Sequence, residues 1–302
     1  MPTPTLPSDH AAKTYRYLRI GILGATGMLL ISVILEVYET TCLLTSISAY
    51  YYTPARPVFV GALMAIGLAL IVIKGKRKED LALNVAGMLA PVVALVPIRS
   101  FVTVGDCASR DPVRDADPEV LRAFLDLSVG NNMSALVWAG AGGLAVTVIV
   151  FIKGRKGPGE LLETFKRGGS SERESLVDLA VFMSLAAGFA GWFVFFRDSF
   201  IDHAHLLSAG GMFVALAVAA WVCSGYSAGW RKPVYRGIAV VMLVSMPLLF
   251  ITASFFRWWV LALEVVEIVL FGAYWAVQTD ERWTEEVVDS PNPNTSPTTA
   301  FT

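Results

Sequence analysis

Long, almost uninterrupted apolar runs constrain this chain more than any motif in it. A helix needs about 20 mostly apolar residues to cross the hydrocarbon core of a bilayer, and every backbone polar group there must be satisfied internally. Eight runs meet that need: Leu18–Tyr38, Pro57–Ile73, Leu81–Ile98, Met133–Ile152, Leu176–Phe196, His205–Cys223, Gly237–Ser254 and Trp258–Val277. Charged residues are scarce, at 16 % of the chain, against about 25 % in an ordinary soluble domain. The expected fold is all-α, a polytopic transmembrane helical bundle of about eight spans. The third run is short and holds Pro91 and Pro97, which a span tolerates where neighbours satisfy the freed carbonyls. Only Phe255, Phe256 and Arg257 separate the last two runs. Together they are too long for one crossing, so a tight hairpin is expected.

Lys and Arg set the orientation. With the N-terminus inside, the cytoplasmic segments hold 17 of the 24 basic residues, in clusters such as Lys74, Lys76, Arg77 and Lys78. The other seven, Arg56, Arg99, Arg110, Arg114, Arg122, Arg197 and Arg257, fall outside. Both termini are therefore expected in the cytoplasm of a multi-pass plasma-membrane protein. The division is 1–17 as an N-terminal tail, 18–278 as the helical domain and 279–302 as a disordered C-terminal tail. The first dozen residues are also expected to be disordered. The first apolar run exceeds the roughly 7–15 residues of a signal-peptide core, which favours an uncleaved helix.

In the outer loop 99–132, Asp117-Pro118-Glu119 starts a short helix, with Val120, Leu121, Phe124 and Leu125 on one face. It is expected to lie across the mouth of the bundle or in the interface, as a gate or a plain cover. The inner loop 153–175, with Leu161, Leu162 and Phe165 before Lys166 and Arg167, resembles an amphipathic segment against headgroups. Cys42 and Cys107 both fall in outer loops, where an oxidising exterior permits a disulfide. That pairing is expected, and Cys223 lies at the inner end of the sixth span. The cysteine count excludes zinc fingers. No glycine cluster follows a strand as a dinucleotide site requires. No basic domain marks a nucleic-acid partner, and no cofactor is implied.

Ionisable groups inside a span cost at least about 2.5–3.5 kcal/mol at its centre and usually face the bundle interior. Glu264 and Glu267 lie three apart on one face of the last span, with Arg257 nearly on the same stripe. They suit a proton or cation site, an acid–base pair, or structural bonds to neighbouring helices. Asp202, His203 and His205 begin the sixth span. The two histidines converge only if the helix starts between them, and interfacial hydrogen bonding is preferred to a metal site. Glu36 ends the first span, and Asn131 and Asn132 begin the fourth. With Arg56, all but Glu267 map to the outer half and point to a polar cavity open to the exterior. Tyr50, Tyr51, Tyr52, Trp258 and Trp259 would ring it at headgroup level, or form an ordinary interfacial belt.

The stretch Thr45–Leu63 (TSISAYYYTPARPVFVGAL), with Leu83-Asn84-Val85-Ala86-Gly87, Val93–Pro97 and Asn131-Asn132, resembles a family of multi-span integral membrane proteins of actinobacteria. That family has no activity to carry over. A looser similarity is to ceramidase-like and Frag1-like membrane proteins. Ceramidase-like hydrolases hold zinc with three histidines, an Asp and a Ser, and this chain offers only His203 and His205 in its membrane region. The expected function is an outward-facing pocket that binds or moves a lipid headgroup, small amphiphile or ion. Glu36, Arg56, Asn131, Asn132, Asp202, His203, His205, Arg257, Glu264 and Glu267 would contribute to it. The alternatives are a metal-dependent lipid hydrolase and a structural subunit packed against a protein partner.

Overall fold

The computed structural model describes residues 7–73, 75, 77–98, 118–154, 170–251 and 258–289. Among them are eight α-helices: α1 (Pro7–Thr40), α2 (Arg56–Val72), α3 (Arg77–Leu95), α4 (Pro118–Gly154), α5 (Ser170–Phe195), α6 (Arg197–Tyr226), α7 (Arg231–Ile251) and α8 (Trp259–Asp289). A 3₁₀ turn, Ser48–Tyr52, sits between α1 and α2. No strand occurs among the described residues. Three helical segments, Thr14–Thr40, Arg197–Tyr226 and Trp259–Trp283, are long and apolar enough to cross a membrane, and Arg56–Val72 and Ala180–Phe195 are shorter apolar helices.

Six helices close a ring. Contacts run from α1 to α2, α3, α6, α7, α8 and back to α1, and α3 against α6 is the most extensive pairing. The pair α4 and α5 sits outside this ring and touches it sparingly. Polarity is distributed as a lipid-facing bundle requires. Glu79, His205, Glu267 and Glu281 are buried, while Ile34, Leu35, Leu207, Val244 and Val269 are more than 50 % exposed. In water that arrangement is costly, because burying charge is penalised and wetting aliphatic side chains forfeits burial energy. Facing lipid, it is the favourable one.

Small residues bring α2 and α3 together, as expected where dispersion rather than hydrophobic exclusion drives helix association. A Cβ added at Gly87 would stand 2.7 Å from the carbonyl oxygen of Gly67, and one at Gly67 would stand 2.9 Å from that of Gly87. Both obstacles are backbone, so the helices would have to part. Gly87→Ala should therefore destabilise by about 1–3 kcal/mol, as overpacking does. Gly61→Ala, at an α2 site with nothing within 4 Å of the added atom, should be silent. Melting both variants in detergent checks this; equal melting temperatures would show that the crossing is looser than described.

Several boundaries differ from expectation. Helix α1 starts at Pro7 rather than after a disordered dozen residues, and α8 continues through Asp289 into the expected tail. The short helix expected across the mouth is not a separate element. It runs on into the fourth apolar run as one 37-residue helix, with Pro118 as its first residue. The polar stretch Asp126–Asn132 reads as a break by hydropathy, but it holds no proline, and the helix runs through it. Asn131 and Asn132 thus lie inside α4 and cap nothing. Residues 252–257, which include Arg257, and the loop segments 99–117 and 155–169 lie outside the described residues.

Candidate functional site

At the end of the bundle where α1 stops and α2 starts, the connecting segment folds over the ring. Its three tyrosines are core: Tyr50, Tyr51 and Tyr52 are at most 4 % exposed. The expected headgroup-level ring of tyrosines is therefore replaced by a buried plug. The Leu44 amide donates to the Tyr50 hydroxyl at 3.2 Å, and the Tyr52 hydroxyl donates to the Ile98 carbonyl at 3.1 Å. The Leu261 amide of α8 donates to the Thr45 carbonyl at 3.0 Å.

Glu264 is what holds the plug down. Its carboxylate accepts the Ser46 hydroxyl at 2.9 Å, the Ile47 amide at 2.5 Å, and the Ser48 amide and hydroxyl at 3.3 and 2.6 Å. These amides belong to a turn with no partner in a helix or sheet, so the acid completes the bonding that buried backbone demands. Beneath the plug, enclosed by the ring, is a cavity of about 70 Å³ lined by Leu63, Leu70, Met212, Leu216 and Phe271, with Glu264 on its rim. Glu267, one turn deeper in α8, is fully buried. It accepts the Ser245 hydroxyl of α7 at 2.7 Å, and its other oxygen has no hydrogen-bond partner among the described residues.

Arg56, at the start of α2, is positioned by the plug. Its Nε donates to the Tyr51 carbonyl at 2.6 Å, and its guanidinium lies 4.7 Å from the Tyr51 ring centre and 5.6 Å from that of Phe124 in α4. Such stacking suits arginine, whose flat guanidinium is weakly hydrated and packs on aromatic faces. Burial pushes the Tyr51 phenol above its ordinary pKa, and the Arg56 charge pulls the other way. Between α2, α3 and α4 a groove of about 690 Å³ opens outward, lined by Arg56, Tyr51, Phe124, Ser128, Asn131 and Asn132. One cation, two amides, a hydroxyl and two rings face a common space there. Neutral donors around a guanidinium are the chemistry of anion capture.

The remaining expected residues do not join this groove. Helix α6 begins at Arg197 rather than between the histidines, so His203 and His205 diverge. His205 is 3 % exposed, its Nδ1 donating to the Val96 carbonyl of α3 at 2.6 Å. His203 and Asp202 are exposed, and the His203 ring bonds the Ser199 carbonyl of its own helix at 3.0 Å. A convergent histidine pair, which the zinc-hydrolase alternative needs, is not formed. Glu36 is buried in α1, and it lines neither the groove nor the central cavity. Arg197 donates to the Asp126 carbonyl at 2.6 Å and pins α6 to α4. Cys42 is disulfide-bonded and Cys223 is a buried free thiol, while Cys107, like Arg257, lies outside the described residues.

A second polar cluster among the described residues lies at the opposite end of the bundle and was not anticipated. Glu79, in the first turn of α3, is 1 % exposed. It accepts from the Tyr226 hydroxyl and the Gln278 amide, lies 3.5 Å from the Tyr274 hydroxyl, and stands 3.6 Å from the Arg282 guanidinium. Next to it the Tyr235 hydroxyl donates to Glu281 at 2.9 Å. In the sequence Glu79 sits within a basic run that topology alone explains. The only trace was the spacing of Tyr274, Gln278 and Arg282, four apart on one helical stripe.

No family model, no curated protein and no solved structure matches this chain.

Proposed function

We propose that this chain is an eight-span protein of the cell membrane, with both ends in the cytoplasm, that binds the anionic headgroup of an amphiphile in the Arg56 groove on its exterior side. The apolar helices and the basic inner segments support the topology. The observation that carries the binding role is the sharing of one open groove by Arg56, Asn131 and Asn132 over the Tyr51 and Phe124 rings. Arginine offers a fork of donors to phosphate or carboxylate oxygens, and the asparagine amides add neutral donors beside it. The buried plug gives the cation a fixed place, so little entropy is lost when a headgroup docks.

Native mass spectrometry of the detergent-purified protein with phosphatidylglycerol and phosphatidylcholine tests this. Wild type should retain the anionic lipid preferentially. Arg56→Gln should lower that affinity at least about tenfold, the scale of one lost charge-assisted hydrogen bond, and Arg56→Lys should fall between. An unchanged preference in a folded Arg56→Gln protein would remove the groove from consideration.

A further inference from the structure

A second cavity lies on the same flank of the bundle and is entirely different in character. It is a slot of about 340 Å³ between α3, α4 and α5, lined by Pro91, Val92, Met133, Leu136, Gly140 and Phe189 among other apolar side chains. On α3 the headgroup groove ends at Leu95, and Pro91 and Val92 of the slot come one turn earlier. On α4 the groove ends at Asn132 and the slot begins at Met133. The slot then follows α4 to Leu144, about 17 Å along the axis at 1.5 Å per residue. Its outer wall is the loosely attached pair α4 and α5.

We infer that the slot is the acyl-chain half of the ligand site, and that the natural ligand is an anionic lipid with its headgroup at Arg56 and one long chain held between α3, α4 and α5. This rests on the headgroup reading above and narrows its ligand class. The cation, the amides and the apolar lining follow one another along the bundle in the order of an amphiphile's own parts. An ion or a water-soluble anion would leave the slot unused. At Gly140, which lines the slot, an added Cβ meets nothing within 4 Å, so a larger side chain can be placed there without a clash at its first atom.

The probe is a lysophosphatidylglycerol with a palmitoyl chain carrying a diazirine near its end, photolysed with the purified full-length protein in detergent. The expected result is saturable labelling of α4 and α5 peptides facing the slot, competed by unlabelled lipid. Gly140→Leu should reduce it at least about fivefold with no loss of melting temperature, because leucine is the better helix former. Ala186→Leu, on the facing helix, is the second filling variant, and Arg56→Gln should reduce the same labelling. If binding depends on Arg56 but the label falls on lipid-facing α1 or α6, or ignores both filling variants, the chain assignment is overturned and the headgroup reading stands. Slot labelling indifferent to Arg56→Gln would overturn the headgroup reading and the single bridging ligand with it. Non-saturable labelling everywhere would mark ordinary annular lipid and overturn the inference.

Discussion

Glu264→Ala should lower the melting temperature of the purified protein in detergent by roughly 10 °C, the shift that a loss of about 3–5 kcal/mol gives in a chain of this size. Four donors on Ser46, Ile47 and Ser48 converge on that carboxylate. Alanine removes the acceptor and leaves two amides and two hydroxyls facing an apolar cavity. Each unsatisfied buried group costs about 1–3 kcal/mol, and the total falls short of the sum because the segment relaxes. Glu264→Gln should lose less, since the amide still offers one oxygen, but its NH₂ group meets donors rather than acceptors. The loss should be local first. Hydrogen exchange should accelerate in residues 44–56, although the Leu261 amide of α8 still donates to the Thr45 carbonyl. Because Arg56 is set by the Tyr51 carbonyl, headgroup affinity should fall together with this protection. Unchanged exchange and melting in Glu264→Ala would mean that packing of the tyrosines alone seats the plug.

The second large effect is expected at the other end. Glu79→Ala removes a carboxylate acceptor from the Tyr226 hydroxyl and the Gln278 amide and takes that carboxylate from beside Arg282. Breaking a buried pair from one side costs about 3–5 kcal/mol, more than the pair contributes when intact, because the surviving charge loses a compensating group. The Arg282 side chain is 20 % exposed, which places the expected loss toward the lower end. The double variant Glu79→Ala with Arg282→Ala should then melt higher than additivity of the two singles predicts. Strict additivity would show that the ion pair carries none of the effect. Glu79, Tyr226 and Gln278 come from α3, α6 and α8, so loss of their junction should loosen the ring as a whole. Hydrogen exchange should register it at all three helix ends, in contrast to the confined response to Glu264→Ala.

The two acids also show how far the sequence could be read. Glu264 and Glu267 were conspicuous because they interrupt an apolar run, and both do carry internal bonds. Their partners were not legible: Ser46 and Glu264 are 218 positions apart, and nothing local in either segment records the other. Glu79 was hidden for the opposite reason. It sits among Lys74, Lys76, Arg77 and Lys78, where any charge looks like a solvated loop residue. For His203 and His205 the outcome turned on a single boundary, the start of the helix. Once α6 begins at Arg197, a spacing of two puts the rings on different faces, one buried and one exposed.

What the sequence determined by itself is therefore the helical, lipid-compatible character of the chain and the identity of nearly all its apolar helices. Those properties accumulate over about 20 consecutive residues, so single misreadings average out and only boundaries drift. What tertiary structure alone decided is the closing of α1, α2, α3, α6, α7 and α8 into a ring, the burial of Tyr50–Tyr52 as a plug, and the sharing of one groove by Arg56, Asn131 and Asn132. Each depends on which helices cross and at what height. That is set by the close fit of small residues such as Gly67 against Gly87, and a misfit of an ångström there moves every partner further along the helix.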